Sequence, residues 1–161
     1  MKDSSGRTTV PVWGFFDSHG RGDLIQIDGR LDSAQYVALL QEVLLPFVND
    51  NFPGQVVNFI QDNSSVHSAR LVRAWFAEHP QINVLPWPSK SPDLNPIENV
   101  WGDIVKDMEY FRSRNRDEVF NKVKGIWDGY ARRPQYWYKL SHSMNNRLIR
   151  VIEADGRWTK Y

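Results

Sequence analysis

The sequence contains no cysteine at any of its 161 positions. Disulfide bonds, thiol nucleophiles and cysteine-ligated zinc sites are therefore excluded. Four histidines remain, and their spacing matches no zinc motif: His19, His67, His79 and His142. The sequence also lacks an apolar run of membrane-spanning length and a signal peptide, so we expect a soluble intracellular protein with no membrane partner.

A strong net charge is also absent, because 20 Lys and Arg residues nearly balance 19 Asp and Glu residues. The distribution is uneven, however. Residues 112–161 contain twelve basic and five acidic side chains, a balance of +7, whereas residues 1–111 contain eight and fourteen, a balance of −6. A basic part at residues 112–161 and an acidic, metal-compatible part at residues 1–111 suit an enzyme that binds a phosphate backbone. A solvated helical surface explains the same counts equally well.

What the sequence does contain is enough apolar surface for one compact core. Apolar residues make up 41% of the chain and aromatic residues 13%, including seven tryptophans. No internal repeat or linker interrupts this composition. We therefore expect a single domain over residues 1–161, with the polar residues 1–9 as a disordered leader.

Periodicity and turn residues predict the element order β-β-α-β-α-β-α-α-α. The strands are expected at residues 10–16, 24–27, 56–60 and 82–85, and the helices at residues 34–51, 68–78, 96–108, 119–130 and 136–154. Ser33 is expected to cap the first helix, and Pro46 to bend or break it. The third strand, which follows a Pro-Gly turn, has the apolar pattern of a strand buried on both faces.

The apolar stripes of the helices predict which residues face the core. In the second and third helices these stripes include Leu71 and Val105. In the last helix, Arg147 and Arg150 are expected to reach solvent.

Two carboxylates stand at positions that suit a metal site. Asp62 follows the third strand, at the sheet edge where ligands and catalytic groups collect in open α/β sheets. Glu98 lies in the first turn of the third helix, with Asn95 as the expected N-cap, where it can point back over that edge. Two oxygen-only side chains suit a hard divalent cation such as Mg²⁺. Each residue also has a commoner structural interpretation, a capping box for Glu98 and an Asx turn for Asp62.

The motifs around these carboxylates resemble those of a known family. Gln61-Asp62-Asn63, His67 and the segment SKSPDLNPIENVW at residues 89–101 are closely similar to the catalytic domain of Tc1/mariner transposases. Between Asp62 and Glu98 lie 35 residues, a small departure from the family's spacing. The stretch VWGFF at residues 12–16, the pair Ser143-Met144 and the closing Thr159-Lys160-Tyr161 also match, so the resemblance covers nearly the whole chain.

The resemblance implies an α/β, ribonuclease H-like fold, a mixed sheet flanked by helices, with a DDE triad of carboxylates. In the family the first catalytic Asp lies on a central strand before VWGFF, preceded by helix-turn-helix modules. This sequence begins too late for either, so we expect an N-terminally truncated domain. Asp62 and Glu98 are then catalytic residues and ligands of a weak Mg²⁺ or Mn²⁺ site. The implied chemistry is two-metal phosphoryl transfer on DNA in the nucleus, incomplete in this chain alone.

Without the central strand, the expected sheet contains a slot of unpaired backbone groups, each costing roughly 1–3 kcal/mol if buried. Three solutions are open. Residues 1–9 could fill the slot. Alternatively, residues 10–16 could pair beside the strand before Asp62, which brings Asp17 near the place of the lost Asp as a further metal ligand, although Asp17 also suits a turn. Finally, a second chain could complete the sheet in a homodimer or another complex.

The resemblance also implies that DNA is a partner. The candidate contacts are a histidine near Asp62, two residues of a proline-stiffened loop and four arginines: His67, Trp87, Lys90, Arg112, Arg114, Arg147 and Arg150. His67 could instead orient the metal site or be satisfied by the backbone at a helix start. Trp87 could instead pack against the neighbouring prolines.

Two classes of function therefore stand beside each other. The first is a catalytic-core piece of a Tc1/mariner-type transposase. The second is a transposase-derived protein without catalysis, which binds DNA, another protein or its own copy. A third interpretation, an unrelated ribonuclease H-like nuclease, is disfavoured by the segment SPDLNPIENVW.

Overall fold

The computed structural model describes residues 8–157 and residue 159. Within it the chain divides into two compact units. We call Met1–Gly29 together with Pro92–Tyr161 the terminal unit, and Arg30–Ser91 the middle unit. The expected single domain over residues 1–161 stays a prediction.

The order of elements agrees with the predicted pattern, except that the first and last helices are each divided. The strands are β1 (Val12–Phe16), β2 (Gly22–Gln26), β3 (Val57–Phe59) and β4 (Ile82–Val84). The helices are α1 (Ser33–Leu39), α2 (Leu45–Asn51), α3 (Arg70–Glu78), α4 (Ile97–Asp107), α5 (Arg116–Ala131), α6 (Pro134–His142) and α7 (Met144–Glu153). Among the residues described, no helix combines the length and the apolar character that crossing a membrane would require.

The strands form two separate two-stranded sheets. In the terminal unit, β1 pairs antiparallel with β2, so the predicted hairpin is confirmed. In the middle unit, β3 pairs parallel with β4. Among the described residues, each sheet has two strands, so the alternative in which residues 10–16 pair beside the strand before Asp62 is wrong there. A tight turn, in which the Asp17 N–H donates to the Arg21 carbonyl at 2.8 Å, connects β1 to β2. Of the leader expected at residues 1–9, residues 1–7 lie outside the described residues.

The core of the terminal unit is built from aromatic side chains of the C-terminal helices. Trp127 and Trp137 meet edge to face, with ring centroids 5.3 Å apart, and pack with four further buried residues, Leu24, Val100, Ile104 and Tyr130. Val105 is 70% exposed, so the expectation that it faces the core is wrong. The reason is helical phase: Val100 and Ile104 are four residues apart and share the buried face, and Val105 lies a further 100° around the helix.

The first helix of the middle unit begins one residue earlier than expected and changes its winding. Asp32, not Ser33, is the N-cap, and it forms a capping box with Gln35. The α-helical pattern is interrupted before Pro46, as expected, but the chain does not leave the helix. A π turn at Leu40–Leu44 connects α1 to α2. Proline lacks an N–H and its ring clashes with the carbonyl four residues earlier, and the wider turn directly before Pro46 relieves that conflict.

The middle unit buries one face of α1, α2 and α3. The buried residues are Tyr36, Leu40, Leu44, Val48, Val72, Trp75 and Ile82. Leu71 is 50% exposed, contrary to expectation, because Val72 and Trp75 set the buried face of α3. β3 is not buried on both faces either: Asn58 is exposed and accepts a hydrogen bond from the Asn83 amide on β4.

The last predicted helix is two helices that meet at Ser143. The Ser143 hydroxyl donates to the Leu140 carbonyl at 2.6 Å and so satisfies one acceptor at the end of α6. The break changes which residues of α7 face inward. Arg147 is only 1% exposed, so the expectation that it reaches solvent is wrong, whereas Arg150 is exposed as predicted.

Candidate active site

Asp62 lies three residues beyond the end of β3, at the carboxyl edge of the parallel strand pair. Ser64 and His67 hold its carboxylate. The Ser64 N–H donates to Oδ1 at 3.0 Å, and His67 Nδ1 lies 2.7 Å from Oδ1. An ionised carboxylate only accepts hydrogen bonds, so His67 Nδ1 carries the proton in this pair. The Asp62 side chain is 58% exposed, so solvent and a cation can reach it.

These contacts alter the acidity of Asp62. Partial burial alone would raise its pKa, but the hydrogen bond from the Ser64 N–H and the nearby His67 ring outweigh burial. The pKa of Asp62 therefore lies below its ordinary value of 3.8, and the group is a carboxylate at neutral pH. The Asx turn expected as the structural alternative is present, and it orients the side chain without using both oxygens.

His67 is held in turn by a fully buried tyrosine of α1. The Tyr36 and His67 rings have centroids 4.4 Å apart, and the Tyr36 hydroxyl donates to Gln61 Oε1 at 2.6 Å. The motif residues Gln61, Asp62 and His67 are thus connected to the core of the middle unit through one side chain. The helical periodicity of residues 34–51 marks Tyr36 as a buried residue but does not identify this contact. A buried tyrosine hydroxyl needs a polar partner, and that requirement was the available signal.

Glu98 lies exposed in the first turn of α4, in the terminal unit. The expected capping box is wrong: Pro96 occupies the N-cap position, and this proline makes no side-chain cap hydrogen bond. A single 3₁₀ turn at Pro92–Leu94 precedes the helix instead, and the Glu98 N–H donates to the Asn95 carbonyl at 3.1 Å. Because the turn satisfies this backbone N–H, neither the Asn95 side chain nor the Glu98 carboxylate is needed as a cap.

Arg147, one of the candidate DNA contacts, is buried against this same segment. Its guanidinium donates to the Asp93 carbonyl and to Asn99 Oδ1, each at 2.7 Å, and its Nε donates to Ser143 Oγ at 2.8 Å. A buried guanidinium with these partners is not presented to a phosphate, which argues against the predicted DNA contact of Arg147. The spacing of Ser143 and Arg147 on one helical face was the signal that sequence reasoning overlooked.

Asp17 belongs to the β1–β2 turn. Its Oδ1 accepts from the N–H groups of His19 and Arg21, and its Oδ2 lies 2.6 Å from Arg21 Nη2 and 2.7 Å from Arg21 Nε. Both carboxylate oxygens are thus engaged within the turn. This geometry matches the turn interpretation of Asp17.

The remaining candidates for DNA contact lie on surfaces of both units. In the middle unit, Lys90 is exposed, and Trp87 is half-buried, with its carbonyl accepting from the Asn63 amide. Asn63 follows Asp62 directly, so this bond links the Asp62 loop to the proline-stiffened loop. In the terminal unit Arg112, Arg114 and Arg150 are exposed.

The chemistry of these donors fits a hard divalent cation. Asp62 and Glu98 each offer an exposed carboxylate. Both are oxygen ligands of the kind that Mg²⁺ and Mn²⁺ prefer. Across residues 8–157 and 159, no three His, Asp or Glu side chains form a preassembled metal cluster.

Comparisons with known proteins identify what the chain is similar to. The family model described as DDE superfamily endonuclease matches residues 1–120. The Tc1 transposase of Caenorhabditis elegans is 36% identical over 156 residues, which are 97% of this chain and 56% of that protein. The Tc3 transposase of the same organism is 32% identical over 157 residues, 97% of this chain and 47% of that protein. The chain thus spans about half the length of the curated relatives it matches.

Solved structures agree on the fold. The catalytic domain of Mos1 mariner transposase superposes with a TM-score of 0.76 at 22% identity, covering 94% of this chain and 75% of that one. The Mos1 paired-end complex with left transposon end gives a TM-score of 0.79 at 22% identity, covering 99% of this chain and 47% of that one. The expected α/β, ribonuclease H-like fold is therefore confirmed.

Proposed function

Because the chain belongs to the DDE superfamily of endonucleases, and within it to the Tc1/mariner-type transposases, we propose that it takes part in metal-dependent cleavage and strand transfer of DNA. The observation that carries the proposal is the Asp62 carboxylate. It is ionised, it is fixed through Oδ1 by the Ser64 N–H and His67, and its side chain is 58% exposed, so a cation can reach it. A carboxylate serving only as an Asx turn would not need the second donor.

Each residue of the proposed site has a separate task. Asp62 and Glu98 are the metal-binding carboxylates. His67 keeps Asp62 in one rotamer, since its ring is fixed between Asp62 and the buried Tyr36. When bound there, Mg²⁺ or Mn²⁺ would activate a water molecule or a DNA 3′-hydroxyl for attack and would stabilise the leaving oxygen.

The exposed cationic and aromatic residues are proposed to hold the nucleic acid. These are Lys90 and Trp87 in the middle unit and Arg112, Arg114 and Arg150 in the terminal unit. Arginine and lysine neutralise phosphates, and a tryptophan face stacks on unpaired bases. Mos1 structures include paired-end complexes with transposon-end DNA, and we propose that this chain also acts on DNA ends as a dimer, in the nucleus.

We further propose that the 161-residue chain alone does not complete transposition. The resemblance implies three metal-binding carboxylates, and the sequence motifs supply Asp62 and Glu98. The turn geometry of Asp17, which engages both of its oxygens, supports a structural role for that residue and no third ligand. We therefore expect strand nicking in Mn²⁺, which tolerates an imperfect ligand set, and no excision of an element.

The test is nicking of supercoiled plasmid in Mn²⁺ by the wild-type chain and by Asp62→Asn, Glu98→Gln and Asp17→Asn variants. We expect weak nicking that disappears in the first two variants and persists in the third. Loss with Asp17→Asn as well would make Asp17 a metal ligand and overturn its structural role.

Absence of nicking above the background of the two inactive variants would overturn catalysis by this chain. The non-catalytic alternative, a binding or dimerisation module, would then be preferred. Excision of a terminal-repeat element by the purified chain would contradict the proposed incompleteness.

A further inference from the structure

The most deeply buried charged side chain of the described residues is Arg147, which is 1% exposed. A buried guanidinium is strongly destabilising unless its donors are satisfied, so its position calls for a specific role. Three of its nitrogen atoms donate to three different acceptors at 2.7–2.8 Å. Each of these acceptors lies in the terminal unit.

The acceptors bracket Glu98 along the chain. The Asp93 carbonyl belongs to the 3₁₀ turn five residues before Glu98, and the Asn99 side chain belongs to the residue directly after it. The planar, forked guanidinium bonds both groups at once, which a lysine ammonium on a flexible stem cannot reproduce. Arg147 therefore fixes the direction in which the chain enters α4.

A second contact holds the same turn. Asp93 Oδ2 accepts from the Thr159 N–H at 3.0 Å and from the Thr159 hydroxyl at 2.9 Å. The N-cap residue Pro96 makes no side-chain cap hydrogen bond, so these contacts add to the backbone bonds from Glu98 to Asn95 and from Asn99 to Pro96 that hold the first turn of α4.

We propose that Arg147 is a positioning residue for Glu98. It acts through Asn99 and the Asp93 turn and sets the orientation of the first turn of α4, on which the Glu98 carboxylate is carried. The inference rests on the proposed function for what Glu98 does, but the positioning itself can be measured without metal or DNA.

The experiment compares Arg147→Met, Arg147→Lys and Asn99→Leu in the 161-residue chain, with Lys139→Met as the matched control. Lys139 is an exposed cation on α6 outside this network. The first readout is native-state hydrogen exchange of the Glu98 and Asn99 amides, both of which are hydrogen-bonded. The second readout is Mn²⁺ affinity, with Glu98→Gln as the reference for loss of the carboxylate.

We expect exchange at Glu98 and Asn99 to accelerate by about tenfold or more in the three network variants, while amides in the middle of α5 change far less. Mn²⁺ affinity should fall in these variants toward that of Glu98→Gln, and Lys139→Met should match the wild type. Asn99→Leu leaves Arg147 in place, so it supplies the answer if the Arg147 variants do not fold.

Equal acceleration throughout the terminal unit would mean that Arg147 only stabilises the fold, and would overturn the proposal. Unchanged exchange at Glu98 and Asn99 would overturn it as well. If Glu98→Gln binds Mn²⁺ as the wild type does, the metal role of Glu98 fails instead, and the exchange data still decide the positioning role.

Discussion

Replacing Gly20 by alanine should destabilise the protein far more than the same replacement at Gly29. Both glycines have a left-handed backbone, with φ of +80° and +74°. They differ in their surroundings. A Cβ atom at Gly20 would lie 2.2 Å from Cδ1 and 2.7 Å from Nε1 of Trp137, whereas a Cβ at Gly29 would meet nothing within 4 Å.

The magnitudes follow from these two terms. A non-glycine residue in the left-handed region costs roughly 1–2 kcal/mol, and both variants carry this cost. Overpacking adds roughly 1–3 kcal/mol at Gly20 only. Trp137 cannot move aside easily, because it is fully buried, its indole N–H donates to the Tyr130 carbonyl at 2.8 Å, and its ring lies 4.6 Å from that of Phe16. We expect a loss of about 2–5 kcal/mol for Gly20→Ala and about 1–2 kcal/mol for Gly29→Ala.

The assay is urea unfolding of both variants, followed by near-UV circular dichroism, which reports on packed tryptophans. The difference between the two free energies of unfolding isolates the contact with Trp137. Equal losses would refute the packing of the β1–β2 turn against α6.

Three further predictions concern titratable groups. The pKa of Asp62 lies below its ordinary value, so its contribution to stability is present above pH 3.8 and is lost as the pH falls through the folded pKa. In His67→Ala, NMR titration of the Asp62 carboxyl group should show its pKa moving up toward 3.8. An unchanged pKa would contradict the interaction between Asp62 and His67. Burial and the hydrogen bond to Asp107 raise the pKa of Tyr130 above 10.0, so the free energy of unfolding should fall as the pH rises beyond about 10. The fall should be less steep in Tyr130→Phe. Identical slopes in the wild type and the variant would contradict the raised pKa of Tyr130. Asp17→Asn keeps a hydrogen-bond acceptor but removes the charge that pairs with Arg21, so chemical denaturation should show a free energy of unfolding lower by about 0.5–1.5 kcal/mol. An unchanged free energy of unfolding would contradict a stabilising ion pair between Asp17 and Arg21.

Local chemistry allowed much of the fold to be predicted from the sequence alone. The β1–β2 hairpin follows from alternating apolar residues around a Gly-containing turn, and both depend on neighbours in the chain. The placement of Asp62 after a strand, and the motifs that resemble Tc1/mariner transposases, are also properties of short segments. The family and its fold could therefore be predicted before any contact was known.

Predictions from the sequence were wrong where a residue's contact partner is distant in the chain, or where two neighbouring residues suit the same local role almost equally well. Asp32 and Ser33 are both good N-caps, and the side chain of Gln35 completes the capping box with Asp32. Glu98 and Asn95 have the sequence pattern of a capping box, but the preceding 3₁₀ turn satisfies the Glu98 N–H through the Asn95 carbonyl and leaves no need for a side-chain cap.

The surroundings of the two carboxylates were decided by tertiary structure. Tyr36 reaches the Asp62 motif across 25 residues through Gln61, and Arg147 reaches Asp93 across 54 residues. Periodicity marks a residue as facing inward or outward, but it does not identify the partner that a buried polar group will meet. The sequence by itself determined which side chains could bind a metal. Only the packed structure decided that Tyr36 supports the Asp62 motif and that Arg147 is buried against the turn before Glu98, because buried polar groups are stable only where they find partners.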